Sequence, residues 1–108
     1  MGTVVSLTER KMQRIGLAPS VVELSEETNV EITNWFIKRT NQDSLHIIGD
    51  TDDGYRVSSP IIEYDAKRHL ARTVSGRYYA MIGPATEGSE NARLMWNAFM
   101  QHHGLHEV

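Results

Sequence analysis

Two arginines and two tyrosines surround a tight turn in the stretch ARTVSGRYYAMIGP, residues 71–84. Arginine and tyrosine side chains contribute much of the binding energy at protein interfaces, and small β domains also use such groups to hold single-stranded nucleic acid. Further cationic residues lie just upstream in the chain. We therefore predict a binding surface made of Lys67, Arg68, Arg72, Arg77 and Tyr78.

A run of carboxylates at residues 50–54 (DTDDG) has the chemistry of a calcium ligand set. An EF-hand loop that began at Asp50 would need glycine at its sixth position and glutamate at its twelfth. This chain has Tyr55 and Ile61 at those positions, so the pattern indicates an Asp/Gly turn instead.

Three histidines near the C-terminus, His102, His103 and His106, are residues that commonly ligate transition metals. The chain has no H-E-x-x-H motif, and Gly104 is predicted to end the helix that would align His102 with His106. We therefore predict no metal site and no cofactor.

Motifs for nucleophilic catalysis and phosphate binding are absent: the chain has no G-x-S-x-G, G-x-x-x-x-G-K-[ST] or G-x-G-x-x-G pattern. Ser58, Ser59 and Ser75 have no general base beside them in the sequence, and only the fold could bring His46 or His69 to them. We predict no catalytic residues and a non-enzymatic protein.

The composition limits the classes of function further. With no cysteine, the chain has no disulfide, no thiolate metal site and no cysteine nucleophile. A formal net charge of -3 disfavours non-specific nucleic-acid binding, which depends on many cationic contacts to phosphate. No apolar run reaches the ~18 residues that span a bilayer, and the N-terminus lacks a signal-peptide pattern. We expect a single cytoplasmic domain, residues 1–108, without a membrane partner.

The elements that must position these residues are mostly strands. β-Branched and aromatic residues are concentrated at 30–39, 45–49, 55–65, 70–74 and 77–82, after a candidate edge strand that starts at Val21. Pro60 lacks a backbone donor and must lie at an edge, at a bulge or at a strand start. This spacing predicts an antiparallel sheet over residues 21–84, with four to five strands in a curled sheet or a partly open barrel.

Alternation within residues 30–39 predicts which of their side chains share a face. It places Trp35 with Ile37, and Ile32 with Phe36 on the opposite side.

A C-terminal helix is predicted over residues 89–104, with Ser89 as its N-cap and Gly104 at its C-terminal end. A capping-box pattern at Ser6 and Glu9 makes residues 1–20 either a short helix or an irregular arm. The fold class is therefore α+β, with the C-terminal helix packed on the sheet. The residues expected to face the sheet are Ala92, Met95, Trp96, Phe99 and His103.

The Ser75-Gly76 turn allows two hairpin registers. A two-residue turn pairs Val74 with Arg77 and puts Arg72 beside Tyr79, whereas a type I turn with Gly76 in a G1 bulge pairs Thr73 with Arg77 and Arg72 with Tyr78. In either register one tyrosine faces the core and the other faces outward.

Several short motifs resemble small uncharacterised proteins of bacterial genomes and prophages. The matching features are Ser59-Pro60-Ile61, the hairpin RTVSGRYY at 72–79, the closing Gly83-Pro84, and the tryptophans of Asn34-Trp35 and Trp96. The resemblance covers residues 32–100, and Ser58 stands where those proteins usually have threonine. It implies a phage or mobile-element context and transfers no functional residues.

The sequence thus predicts a protein-interaction module, an accessory or inhibitor protein that acts on a host protein. Nucleic-acid binding through the Arg/Tyr hairpin is the alternative. Exposed edge strands also predict a homodimer formed by strand addition.

Overall fold

The computed structural model describes residues 20–21 and 29–108 of the chain. The predicted N-terminal arm or short helix, and most of the edge strand predicted from Val21, lie outside these residues. The elements are β1 (Ser20–Val21), β2 (Val30–Arg39), β3 (Leu45–Thr51), β4 (Gly54–Val57), β5 (Ile61–Asp65), β6 (Leu70–Thr73), β7 (Tyr78–Met81) and α1 (Glu90–His103).

The strands form one open, mixed sheet in the order β1-β5-β6-β7-β2-β3-β4. The predicted α+β class with a C-terminal helix on a sheet is confirmed. The predicted strand number of four to five is too low, because the described residues alone form six strands of four or more residues besides the two-residue β1. The sheet is also not purely antiparallel, since β1 pairs with β5, and β2 with β7, in parallel.

The division into β4 and β5 and the parallel pairing of β2 with β7 both follow from the interruption of the strand before Pro60. Residues 55–65 were expected to form one strand interrupted by Pro60, but β4 ends at Val57 and β5 begins at Ile61, directly after the proline. β4 lies at one end of the sheet and β5 lies near the other. After this crossover, β5, β6 and β7 form an antiparallel unit, whose last strand returns to the outer edge of β2 and runs in the same direction.

A β-bulge interrupts β2 at Asn34, which has a left-handed φ of 48°. Thr33 pairs with Asp50 and Phe36 with Ile48, so Asn34 and Trp35 together oppose the single residue Gly49. A side chain at Gly49 has no room, because an added Cβ would lie 2.7 Å from the Thr33 carbonyl oxygen.

The bulge changes which residues of β2 share a face. Ile32 and Trp35 belong to one hydrophobic cluster and Phe36 to another. The prediction that the side chains of Ile32 and Phe36 share a face is therefore wrong, since the extra residue shifts the alternation by one position.

Two hydrophobic clusters hold the fold together. Residues of β2 and β3 meet residues of β5, β6 and β7 in the inner cluster, so the sheet curls around it. The helix cluster joins α1 to β2 and β3. The inner cluster comprises Ile32, Trp35, Ile47, Ile61, Ala71, Tyr79 and Met81, and the helix cluster comprises Phe36, Ile48, Ala92 and Trp96.

The helix α1 has the predicted caps. The Ser89 side chain accepts the Ala92 N–H at 3.1 Å, and Gly104 adopts a left-handed φ of 65°. Ala92 and Trp96 are buried, but Met95 and His103, which were also expected to face the sheet, are exposed. Phe99 is half-buried against the helix cluster, as expected, and Met100, one turn after Trp96, packs there as well. No helix in the described part of the chain is long and apolar enough to cross a membrane.

Candidate interaction surfaces

The Arg/Tyr hairpin adopts the bulged register of the two that the sequence allows. Gly76 N–H donates to the Thr73 carbonyl at 2.8 Å, and Thr73 N–H donates to the Arg77 carbonyl at 3.0 Å. Gly76 has a φ of 89°, which only glycine adopts easily. Tyr79 is buried in the inner cluster and Tyr78 is half-buried on the other face, so the prediction of one inward and one outward tyrosine is confirmed.

Arg72 is committed to a contact within the sheet. Its Nε lies 2.5 Å from Oε1 of Glu63 on the neighbouring strand β5, and the Glu63 side chain is only 3% exposed. The hydrogen bond to Glu63 is the main reason that the pKa of Arg72 is raised above its usual value. The Arg72 guanidinium therefore neutralises a buried carboxylate. Because it already donates to Glu63, fewer of its N–H groups are left for a binding partner.

The remaining residues of the predicted surface do not form one patch. Lys67 and Arg68 lie in the turn before β6, and Arg68 Nε is 3.9 Å from Asp65 Oδ2. Arg77 is exposed beyond the other end of β6, a strand of four residues that is about 10 Å long. The structure thus brings Arg72 beside Tyr78 and places the other three cations at opposite ends of that strand.

A buried chain of hydrogen bonds connects Thr40, Ser44, His46 and Ser58. His46 Nδ1 lies 2.7 Å from the Ser58 carbonyl, which can only accept, so Nδ1 carries the proton. Burial is the main cause that lowers the pKa of His46, and the neutral ring accepts at Nε2 from the Ser44 hydroxyl at 2.8 Å. Ser44 in turn accepts from Thr40 at 2.7 Å. Both ring nitrogens of His46 make hydrogen bonds within the fold. The network therefore stabilises the β2–β3 turn and the start of the segment that leads from β4 to β5.

The acidic residues at 50–54 form a turn and a local network. Asp52 and Asp53 make the turn between β3 and β4. Asp50 accepts hydrogen bonds from Asn34 Nδ2 at 2.9 Å and from Ser89 Oγ at 3.4 Å, which ties the bulge to the start of α1. Among residues 20–21 and 29–108, no group of three or more histidine, aspartate or glutamate side chains is arranged to hold a metal ion.

No other strand within residues 20–21 and 29–108 pairs with the outer edge of β4, because β4 ends the sheet. Ser58 N–H donates to the Ile47 carbonyl at 2.9 Å, and antiparallel partners alternate between bonded and non-bonded pairs. Arg56 and Gly49 are therefore a bonded pair, whereas the backbone groups of Tyr55 and Val57 point away from β3. This edge presents two N–H and two C=O groups to an incoming strand.

An apolar groove runs between β4 and α1 beside this open edge. It has a volume of about 410 Å³, and Tyr55, Val57, Met95 and Phe99 contribute to its walls. Tyr55 is 39% exposed and Met95 is 38% exposed, which is high for such large side chains. Asn91 Nδ2 donates to the Tyr55 hydroxyl at 3.0 Å and holds the ring against the helix.

The residue types of the sequence predict a binding surface at the hairpin and none at β4. The signal for β4 is in the sequence nonetheless, because Gly54 and Pro60 bracket a segment with the length of a short strand. Comparison of the chain with protein-family models, with curated proteins and with solved structures finds no match.

Proposed function

We propose that this protein is a non-enzymatic protein-interaction module whose partner adds an extended segment to the outer edge of β4. The observation that carries the proposal is the open edge of β4 with an exposed apolar groove directly beside it. In such complexes the main chain supplies affinity, and alternate side chains of the added strand enter pockets. The resemblance to prophage proteins supports a partner from the host cell.

The edge is tested by a proline at position 57. Proline removes the outward N–H of Val57, which makes no bond to β3, so an incoming strand loses a partner while the sheet keeps its ladder. We expect Val57→Pro to fold, as judged by thermal unfolding, and to reduce capture of the host partner at least tenfold in an affinity pull-down.

The groove is tested by a matched pair of helix variants. Met95 lines the groove, whereas its neighbour Leu94 is 58% exposed and lies outside it. We expect Met95→Lys to abolish capture of the partner that the wild type retains, and Leu94→Lys to leave capture unchanged. Equal capture by all of these variants would contradict the proposed surface.

Sedimentation analysis distinguishes a foreign partner from a second copy of this chain. A dimer that is present in the wild type and lost in Val57→Pro would identify a second copy as the occupant of β4.

Nucleic-acid binding through the hairpin has less support than protein binding. Arg72 is neutralised by Glu63, and Lys67 and Arg77 lie at opposite ends of β6. Retention on single-stranded DNA or RNA that decreases with rising salt would reverse this ranking.

A further inference from the structure

A gap in the strand pairing lies within the sheet, along the side of β2 that faces away from β3. This side is occupied at three places: Val30–Ile32 pair with β7, Thr86 N–H donates to the Trp35 carbonyl at 2.8 Å, and Val108 N–H donates to the Arg39 carbonyl at 3.0 Å. Ile37 lies midway between the last two contacts.

The backbone groups of Ile37 point into this gap. Thr40 N–H donates to the Ser44 carbonyl at 2.9 Å, so the even-numbered residues Phe36 and Lys38 are the ones whose backbone bonds to β3. The odd-numbered residues Trp35 and Arg39 bond outward, as their contacts with Thr86 and Val108 show. Ile37 shares their orientation, and within residues 29–108 its N–H and C=O have no partner.

A cavity of about 660 Å³ lies in front of Ile37. This volume is within the range of about 300–1,000 Å³ that is usual for ligand sites. The buried aromatic residues Trp35, Phe36 and Trp96 contribute to its walls, and Thr86 and Glu107 lie on its boundary.

The two ends of the gap are held by side-chain hydrogen bonds. Trp35 Nε1 donates to the Gly83 carbonyl at 3.0 Å, which fixes the segment leading to Thr86. At the other end, Glu107 accepts Trp96 Nε1 at 2.9 Å and pairs with Lys38 Nζ at 3.1 Å. The hydrogen bond from Trp96 is the main cause that lowers the pKa of Glu107 below its usual value, and the contact with Lys38 adds to it, so the carboxylate stays ionised.

We propose that this gap is a binding site for a short extended peptide, separate from the β4 surface. The span from Trp35 to Arg39 is about 13 Å, so a segment of three residues fills it. The peptide exchanges main-chain hydrogen bonds with the N–H and C=O of Ile37. A ligand that lacks alternating donors and acceptors does not satisfy both groups. The peptide side chain that points toward α1 lies against Phe36 and Trp96 and close to Arg93.

Cavity filling tests the site without removing any contact. Ala85 is exposed on the cavity wall, and Ala66 is also exposed, in the β5–β6 turn outside the cavity. Heptapeptides are first selected on the wild-type protein from a phage-displayed random library. We expect the selected peptides to shift the Ile37 amide resonance and to lose at least tenfold in affinity for Ala85→Trp, but not for Ala66→Trp.

A second comparison separates this site from the β4 surface. Peptides bound at Ile37 are expected to retain their affinity for Val57→Pro. Failure to select any peptide, or peptides that bind Ala85→Trp as well as the wild type, would overturn the site and leave the β4 proposal intact. Peptides lost with Val57→Pro alone would assign the binding to β4 instead.

Discussion

The two halves of the sheet differ in how far their polar groups are paired within the fold. In the half formed by β5, β6 and β7, the central strand has neighbours on both sides, and Arg72 is neutralised by Glu63. In the half formed by β2, β3 and β4, the last strand is open and the outer edge of β2 is interrupted at Ile37. Whether a polar group is available for binding therefore depends more on the position of its strand in the sheet than on its residue type.

Proline substitution gives the largest expected contrast between the halves. Ala71 is fully buried in β6, which pairs on both sides, so Ala71→Pro should lower the free energy of unfolding by more than about 3 kcal/mol. Val57→Pro should cost about 1–2 kcal/mol, because it removes no ladder bond and only the half-buried contact of Val57 with the helix cluster. Urea unfolding of both variants measures the difference, and equal losses would show that β4 is not an open edge.

The ion pairs of the two halves should differ in strength as well. Arg72→Ala leaves a buried carboxylate without its cation and should cost about 2–3 kcal/mol, less than a fully buried pair because the Arg72 side chain is 28% exposed. Lys38→Ala breaks a pair whose side chains are 41% and 37% exposed and should cost about 0.5 kcal/mol. Chemical denaturation decides this, and a larger loss for Lys38→Ala would contradict the comparison.

Features with local signals were predictable from the sequence. The turn at Ser75-Gly76, the presence of one inward tyrosine in the hairpin and the caps of α1 depend on residues a few positions apart, whereas the hairpin register was left open between two alternatives. The strand order was not predictable, because it depends on where the chain goes after Pro60. The pairing of Arg72 with Glu63 was missed for a different reason, since it depends on the register between β5 and β6, which shifts between Ile61 and Glu63.

Acid should weaken the half that contains His46. Burial lowers the pKa of this ring in the folded protein, so the unfolded chain takes up a proton first as the pH falls below about 6.5. The associated stability is present above that pH and is lost as the pH falls through the folded pKa, by at most about 1.4 kcal/mol per pH unit. Besides its hydrogen-bond partners, the ring faces Trp96 and Phe99, and the charge of nearby His103 opposes its protonation.

The measurement is the free energy of unfolding between pH 8 and pH 5 in the wild type, in His46→Gln and in His106→Gln. His46→Gln should be less stable at pH 8 and should show a shallower dependence on pH. His106→Gln is the control, since that residue is exposed, and it should follow the wild type. A wild-type slope retained in His46→Gln would assign the effect to another group.

The smallest effect is expected at the exposed cation of the hairpin. Arg77→Ala should change the free energy of unfolding by less than about 0.5 kcal/mol, because the residue is exposed outside the strands. It should also leave capture of the host partner unchanged. Loss of capture with Arg77→Ala but not with Met95→Lys would return the binding surface to the hairpin.

The bulge at Asn34 gives β2 one residue more than its alternation requires. Without Asn34, Ile32 and Trp35 would still face the inner cluster and Phe36 would still face the helix, because a bulge adds a residue without exchanging the faces beyond it. What the extra residue adds is a bend, and the pairing of β7 with β2 ends at Ile32, just before this bend. A deletion of this one residue is therefore expected to preserve both clusters while allowing residues 82–87 to continue along Ile37. A single-codon insertion or deletion would then be enough for evolution to create or erase the gap without rebuilding the core.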